Sequence, residues 1–346
     1  MTNSTSSAQI REARPRLRFP ALVFVACTLV AAQSPAPPEP LRFEGTIHRS
    51  DDLSAIASIG KFLVIGSDEG ARVQVLEPAD DARGFRVRSE AIRLLPEDHE
   101  VDVEAMAHHE GTLYVLGSHS LKRRLLEPDK EYQENRARLA TVSPEPYRQK
   151  LFRLKVDPKT GRPSSTVEAV SLRPILERDS ILGPFTSIPA AENGVNIEGL
   201  AVDGSTLYLG FRSPVLREGF VPVMALRFEE PDDYELTFVQ LHGQGIRSLA
   251  RVSDGFLLLA RPEHDVDASS VLYFWNGLDQ IPGAGRSRGR LERLLELPAP
   301  KGGTPEGLAV LSETESHYDV IAIHDGLPGG HPIRLRVPVP VRHSNR

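Results

Sequence analysis

A short segment with a period of two between apolar and polar residues occurs five times along the chain. Each copy ends in alanine, and a second apolar run follows each copy within about a dozen residues. The copies are Asp52-Leu-Ser-Ala-Ile-Ala57, Asp102-Val-Glu-Ala-Met-Ala107, Asn196-Ile-Glu-Gly-Leu-Ala201, Gly245-Ile-Arg-Ser-Leu-Ala250 and Thr304-Pro-Glu-Gly-Leu-Ala309. A unit that returns about every fifty residues is typical of a propeller or another repeat array.

The recurrent segment predicts an all-β fold, a single β-propeller of five four-stranded blades. The fifth unit is one strand short, and segment 41–48 alternates as a strand does. We therefore predict that this N-terminal strand 41–48 closes the last blade, as is usual in propellers. Six blades is the alternative, if region 121–195 contains another blade, although no copy of the recurrent segment occurs there.

The predicted propeller extends over 41–340 and carries two insertions. Insertion 121–150 is rich in charge and has a helical composition over 129–142. Insertion 173–195 contains a short helix candidate. The first insertion leaves the rim where polar residues gather, so it could cover that rim as a lid.

The N-terminus has the features of a secretory signal peptide. Several arginines precede a short apolar run, and small residues that end at Ala32 allow cleavage there. The run is too short to span a bilayer comfortably, so we expect no transmembrane helix in the mature chain; a retained anchor is the alternative. We predict a signal peptide at 1–32, a Pro-rich spacer at 33–40, a C-terminal tail at 341–346, and a periplasmic or secreted location.

Cysteine usage and charge restrict the chemistry further. Cys27 is the only cysteine, and a lipoprotein processed at Cys27 is a second possibility for this terminus. Cleavage after Ala32 would instead remove Cys27, and the mature chain would have no disulfide and no Cys-ligated zinc. The net charge is −6 at pH 7, and removing the arginine-rich signal peptide makes it more negative. This balance argues against a nucleic-acid or anionic-membrane partner.

Polar residues of the repeats are predicted to meet at one mouth of the propeller. Inner strands begin on the rim where second strands end, so residues at these two positions should face one funnel. The predicted set is Asp52, Glu104, Glu198, Arg247 and Glu306 from inner strands, and Asp68, His119, Arg212, Arg261 and Asp325 after second strands. The other face of each inner strand carries small residues, because these strands crowd round the axis.

Charge is distributed unevenly in this predicted funnel. The acidic half suits a hard cation such as Ca²⁺, which binds carboxylate and carbonyl oxygens. The basic half suits a phosphate or a carboxylate. We predict metal ligands at Asp52, Asp68, Asp102, Glu198 and Glu306, and contacts to a small anionic ligand or glycan at Arg212, Arg247, Arg261 and Asn196.

His119 and Glu104 are the candidate catalytic residues. Histidine is the common acid–base residue near neutral pH, although a hydrogen-bonded structural role suits His119 equally well. Structural roles are the alternatives for the charged groups. Glu198 and Arg247 could pair with each other, and Glu104 and Glu306 could cap backbone amides. The sequence has no G-x-S-x-G, P-loop or H-E-x-x-H motif.

Taken together, the motifs resemble a bacterial family of exported propellers described as a domain of unknown function. They are D-x-E-[GA]-x-A at Asp102, S-H-S at Ser118, N-x-E-G-L-A at Asn196, G-I-R at Gly245 and P-E-G at Pro305. The likeness extends from about residue 43 to 339. It implies the propeller fold without a known reaction.

A more distant likeness concerns the E-G-[LIM]-A strands, which are similar to those of propellers with esterase-like activity of phytase. That resemblance implies a calcium-assisted phosphoester or ester hydrolase, with Glu104, Glu198 and Glu306 at matching positions. Ser54 and Arg247 depart from the pattern, because each stands where that pattern has a glutamate.

Three functions of different classes remain open at this point. The first is a binding propeller of the cell envelope that recognises an anionic small molecule, glycan or peptide at its funnel. The second is the metal-assisted hydrolase, and the third is a scaffold that uses only its outer faces. We expect a monomer in each case.

Overall fold

Each copy of the recurrent segment forms the innermost strand of one sheet, and we number the resulting blades 1 to 5 in that order. The innermost strands are Leu53–Ile59, Val103–His109, Asn196–Asp203, Gln244–Val252 and Thr304–Glu313. The second strands are Phe62–Ser67, Thr112–Gly117, Thr206–Ser213, Gly255–Pro262 and His317–Asp325. The third strands are Arg72–Pro78, Leu151–Lys155, Phe220–Arg227, Ser270–Trp275 and Ile333–Pro338. The outer strands are Gly84–Val87, Glu168–Val170, Glu235–Gln240, Leu291–Leu297 and Glu39–Pro40.

The inner strands form a closed ring, which confirms the predicted five-bladed propeller. Each inner strand packs against the inner strands of its two neighbouring blades, and that of blade 5 packs against that of blade 1. This computed structural model describes residues 37–81, 83–88, 91–96, 99–262, 268–297 and 300–340, together with Met1. The predicted signal peptide, Cys27, residues 33–36 of the spacer and the tail 341–346 lie outside the described residues.

The N-terminal part of the described chain closes the last blade as predicted, but different residues do so. Glu39 and Pro40 pair antiparallel with the third strand of blade 5. Proline has no N–H to donate, which suits an outer edge position. Segment 41–48 is not one strand: Arg42–Glu44 pairs in parallel with the outer strand of blade 1, and Gly45 follows with a φ of +95°. That left-handed backbone ends the extended segment, so the predicted bounds 41–48 were wrong.

The small residues of the inner strands line the axis at the end away from the strand starts. A narrow cavity of about 100 Å³ there is lined by Ala57, Ala107, Ala201, Ala250 and Ala309 among others. Larger side chains fill the space within and between blades; Trp275, Phe152 and Phe211 are fully buried. Crowding at the axis thus explains why each copy of the segment ends in alanine.

Insertion 121–150 contains a hairpin and a helix, Tyr132–Ala140, and the hairpin strands are Lys122–Arg123 and Val142–Ser143. We call residues 121–148 the lid segment. The helix buries none of its residues, and hydrogen bonds hold the lid segment in place. Arg138 Nε lies 2.6 Å from the Leu125 carbonyl, and Arg123 Nη2 lies 2.9 Å from Glu192 Oε2.

The remaining elements are short. The second helix is Arg173–Arg178, inside the insertion where a short helix was predicted, and Ile92–Arg93 adds a strand to blade 1. Single 3₁₀ turns occupy Gly183–Phe185, Ala190–Glu192, Arg217–Gly219 and Pro328–Gly330. In the part of the chain that the structure describes, no helix is long and apolar enough to cross a membrane.

Candidate functional site

The inner strands begin at one end of the propeller, which we call the polar mouth. Ionisable side chains of all five blades gather there, and carboxylates outnumber guanidinium groups. The groups in contact or in electrostatic interaction are Asp52, Asp68, Asp102, Glu104, Arg148, Glu198, Arg212, Arg247, Glu306 and Asp325. The topology of the inner and second strands brings these residues together, as the repeat pattern predicts.

An ion-pair network connects blades 3, 4 and 5 at the polar mouth. Glu198 Oε1 accepts from Arg212 Nη1 at 2.7 Å and from Asn196 Nδ2 at 2.9 Å. Glu198 Oε2 accepts from Arg247 Nη1 at 3.1 Å, and the same nitrogen lies 3.0 Å from Glu306 Oε1. The side chains of Glu198 and Arg247 are only 3% and 5% exposed. These two residues form the pair that the sequence offered as a structural alternative.

The pKa of Glu306 is raised despite its contact with Arg247. Burial raises its pKa to about 8, with Arg247 opposing the increase and the nearby Glu198 adding to it. A single guanidinium shared by two carboxylates compensates each only in part. The polar mouth therefore has more carboxyl groups than its guanidinium groups can balance, and Glu306 holds its proton more tightly than an ordinary glutamate does.

Three aspartates from two blades form a second group, which we call the aspartate cluster. Asp52, Asp68 and Asp325 each present a carboxylate oxygen within 4.8 Å of the others, and each side chain is half-buried. Asp68 Oδ1 is buried and has no hydrogen-bond partner among the described residues. Burial raises the pKa of Asp68 to about 7, and the charges of Asp325, Asp102 and Asp52 add to the effect. Burial also raises the pKa of Asp325, and the charge of Asp52 contributes to this increase.

The donor set of the aspartate cluster fits a hard divalent cation. Ca²⁺ binds carboxylate oxygens at about 2.3–2.6 Å, so oxygens that share one ion lie within about 5 Å of each other. The unpartnered Asp68 oxygen is a buried acceptor that such an ion would satisfy. Asp52 and Asp68 were predicted metal ligands, whereas Asp325 was predicted to face the funnel but was not assigned to the metal.

Glu104 faces the same region without a protein partner. Among the described residues, no hydrogen bond or ion pair is made by its carboxylate. Burial raises its pKa well above the ordinary value, and the charges of Glu198, Asp102 and Glu306 raise it further. A carboxyl group in this environment holds its proton more tightly than an ordinary glutamate does, and its oxygens could bind a cation once the proton is lost.

The carboxylate of Asp102 forms an ion pair with an arginine that the sequence did not indicate as its partner. Arg148 Nη1 lies 2.8 Å from Asp102 Oδ2, and Arg148 also pairs with Glu100. Burial still raises the pKa of Asp102 to about 6. Arg148 comes from the end of the lid segment, far from any repeat, so the only available signal was the need of a buried aspartate for a partner.

His119 lies away from the funnel, inside the protein. Its backbone adopts a left-handed φ of 58°, and its side chain is fully buried. Nε2 accepts a hydrogen bond from the Leu172 amide at 3.4 Å, so Nδ1 carries the proton and donates to the Gly117 carbonyl at 2.8 Å. Burial lowers its pKa to about 4, which leaves the ring neutral at pH 7. This geometry matches the structural alternative, and we do not include His119 in the site.

The residues predicted to contact an anionic ligand differ in their burial and in their hydrogen bonds. Arg261 Nη1 donates to Thr304 Oγ1 at 2.9 Å, at the start of the fifth inner strand, and its Nε donates to the Ala268 carbonyl at 3.2 Å. Asn196 is almost fully buried, and its Oδ1 has no hydrogen-bond partner among the residues described. Arg212 is more accessible than Arg247 and borders the open space in front of the site.

A cleft of about 520 Å³ opens in front of the polar mouth. Its floor includes Asp68, Asp102, Glu104, Asn196 and Arg212. The lid segment contributes one wall and 189–192 another, so the insertion covers part of the mouth as predicted. A small molecule that enters the cleft meets the carboxylates and Arg212 together.

Fold and site together define a β-propeller with an ionisable mouth at the start of its inner strands. The chain belongs to the family described as "Protein of unknown function (DUF3616)", whose model matches residues 52–331. This confirms the resemblance to a propeller family of unknown function. The more distant likeness to propellers with esterase-like activity of phytase stays a prediction. Comparison with curated proteins gives no match.

Two solved structures are similar to this chain at a low level. One is a GH43 glycoside hydrolase engineered to display both endo-xylanase and exo-arabinofuranosidase activity; it is 12% identical, with a TM-score of 0.42, and the match covers 85% of this chain and 52% of that one. This chain therefore spans about half the length of that structure. The other is a luciferin-regenerating enzyme, 10% identical with a TM-score of 0.38, covering 89% of this chain and 80% of that one. Similarity at this level carries no information about activity.

Proposed function

We propose that the polar mouth binds a small anionic ligand with the help of a divalent cation, for which Ca²⁺ is the best candidate. The observation that carries the proposal is the aspartate cluster, whose oxygens lie within 4.8 Å of one another and include the unpartnered Asp68 Oδ1. Asp52, Asp68 and Asp325 would hold the ion, and Glu104 would be a further oxygen donor. The cation would supply the positive charge that an anion needs in a mouth with excess carboxylates.

Residues of the chain would orient the anion beside that ion. Arg212 borders the cleft, and its guanidinium is 2.7 Å from Glu198 Oε1, so it is held in position. A guanidinium favours planar oxyanions such as carboxylates and phosphates. Asn196 Oδ1 can accept one hydrogen bond from the ligand or from a water. We further propose export of the chain to the periplasm or the medium, where Ca²⁺ is plentiful.

Hydrolysis of a phosphoester or another ester at the same place is the second candidate function. Glu104 favours it, because burial raises its pKa, it lines the cleft, and its carboxylate makes no hydrogen bond or ion pair with the residues that the structure describes. Such a carboxyl group is suited to general acid–base catalysis. His119 is too deeply buried and too fully hydrogen-bonded to serve as that group.

The test begins with calcium titration of protein that has been treated with a chelator, followed calorimetrically and by Tm. We expect binding and a higher Tm with Ca²⁺, and we expect Asp68→Asn to lose both. Glu315→Gln is the matched control, because Glu315 is an exposed carboxylate on the hairpin at the opposite end of blade 5. Equal calcium responses of wild type and Asp68→Asn would refute the cation site.

The ligand and the second candidate need two further measurements. Methyl phosphate and acetate should bind more tightly with Ca²⁺ than with chelator, and Arg212→Ala should weaken that binding. For hydrolysis, wild type and Glu104→Gln are compared on 4-nitrophenyl phosphate and 4-nitrophenyl acetate. Turnover at the same rate in both proteins would remove Glu104 from any catalytic role.

A further inference from the structure

The cleft in front of the polar mouth has an apolar wall opposite its ionisable floor. Leu125, Leu126 and Leu139 of the lid segment line it, and they are 77%, 53% and 52% exposed. Single exposed leucines are common on protein surfaces, but grouped apolar side chains beside a cleft indicate contact with a partner. The helix that carries Leu139 buries none of its residues, so packing within the protein does not account for this wall.

The wall is fastened to the propeller at its base. The Ala190 amide lies 3.1 Å from the Leu121 carbonyl, and Arg123 is held by Glu192 at the same edge. Arg138 Nε reaches the Leu125 carbonyl at 2.6 Å and thereby joins the helix to the segment that holds the leucines. The leucines therefore keep a defined position relative to Asp68, Glu104 and Arg212 on the floor.

We infer that the ligand of the polar mouth is a small amphiphile, with an oxyanion group directed to the floor and an alkyl or aryl group against the three leucines. This inference rests on the proposed function, in which a cation in the aspartate cluster draws an anion to the floor. The cleft volume of about 520 Å³ lies within the usual range for small-molecule sites, about 300–1,000 Å³. The lid wall combines the three leucines with Lys122, Arg123 and Arg124, so the cleft offers both apolar surface and positive charge, which suits an amphiphilic anion better than a uniformly polar ligand.

The experiment compares ligands that share a head group and differ in their apolar part. Affinities for methyl phosphate and hexyl phosphate, and for acetate and heptanoate, are measured by calorimetry in the presence of Ca²⁺. The longer member of at least one pair should bind about tenfold more tightly, since burial of two or three methylene groups suffices for that gain. The pair that shows the gain identifies the head group as phosphate or carboxylate.

The variant that tests the wall is Leu126→Ser combined with Leu139→Ser. Both side chains are largely exposed, so the fold should survive, and calcium binding should be unchanged. We expect the tenfold gain to disappear, while affinity for methyl phosphate or acetate stays as in wild type. Leu278→Ser is the control, because Leu278 is similarly exposed but lies in blade 4, outside the cleft.

The possible failures are distinguishable. If the short ligands bind with Ca²⁺ but the long ones gain nothing, or if the gain survives in the double variant, the inference is overturned and the proposed function stands. If no member of either series binds with Ca²⁺, the proposed function fails and takes the inference with it.

Discussion

Arg247 and Glu306 come from the inner strands of neighbouring blades, and Arg247 Nη1 lies 3.0 Å from Glu306 Oε1. The same nitrogen contacts Glu198 of blade 3 at 3.1 Å, so one guanidinium ties three blades together. Its side chain is 5% exposed, which means that water screens these charges poorly. Removing the guanidinium would leave two carboxylates facing each other in a poorly solvated place.

The first prediction concerns the stability of this network. Arg247→Met should lower the free energy of unfolding by about 3–5 kcal/mol, because a buried charge that loses its partner is uncompensated. Arg251→Met is the matched control on the same strand; Arg251 lies nearer the surface and pairs with Asp203 at 3.0 Å. The control should cost at most about 1 kcal/mol. Urea unfolding of both variants checks the difference, and equal costs would contradict the role of Arg247.

The sequence predicted the fold because one physical constraint repeats in it. Every inner strand must place a small residue at the axis, so Ala57 and Ala309 mark equivalent positions in different blades. The same period predicted that Glu198, Arg247 and Glu306 would converge. In each of these strands the pairing register shifts at that residue, so the three side chains occupy the same irregular position in their blades.

The unpredicted features come from residues outside the repeat. His119 follows a second strand as Asp68 does, but its φ of 58° turns the chain and directs the ring inward. Arg148 reaches Asp102 from the end of an insertion, and spacing within blades carries no information about such contacts. Glu39–Pro40 closes blade 5 while Arg42–Glu44 pairs with blade 1, and alternation alone does not show this division.

A second prediction separates the charge of Glu104 from its shape. Glu104→Gln removes a carboxyl group whose pKa is raised by burial and by Glu198, so the free energy of unfolding of the calcium-free protein should increase. Its calcium affinity should fall at the same time, because one oxygen donor becomes neutral. Glu110→Gln is the control, since Glu110 is exposed at the other end of the same hairpin. Unfolding and calcium titration measure the two effects; a loss of stability would argue against the repulsion.

A third prediction assigns His119 a structural role. His119→Asn keeps a residue that tolerates the left-handed backbone but shortens the side chain, so the Leu172 amide loses its acceptor. Buried groups left unpaired cost about 1–3 kcal/mol, and the free energy of unfolding should fall by that amount. Calcium affinity should not change. A variant with native stability and weaker calcium binding would return His119 to the candidate site.

A fourth prediction concerns packing near the axis. A Cβ at Gly307 would lie 2.7 Å from Ile323 Cγ1, so Gly307→Ala should destabilise the protein by about 1–3 kcal/mol through overpacking. At Gly283, the nearest neighbour of an added Cβ would be Arg286 Cβ at 3.9 Å. Gly283→Ala should therefore be neutral or slightly stabilising. Thermal unfolding of the two variants tests the contrast, and similar Tm values would show that the axis is less crowded than the structure indicates.

The last prediction follows from the pKa of Asp68, which burial and the facing carboxylates Asp325, Asp102, Asp52 and Glu69 raise from 3.8 to about 7. The folded protein binds this proton more tightly than the unfolded chain does, so the contribution of Asp68 to stability is full below about pH 4 and is lost as pH rises through 7. The calcium-free protein should therefore lose stability over that window, and Asp68→Asn should lose less. Calcium must displace the same proton, so calcium affinity should increase from pH 6 to pH 8 in wild type.

Unfolding experiments and calcium titrations across this range measure how stability and calcium affinity change with pH. The control Glu315→Gln leaves the aspartate cluster intact, so it should follow wild type in both. If the stability of calcium-free wild type and Asp68→Asn ran parallel from pH 4 to pH 8, the repulsion within the aspartate cluster would be absent.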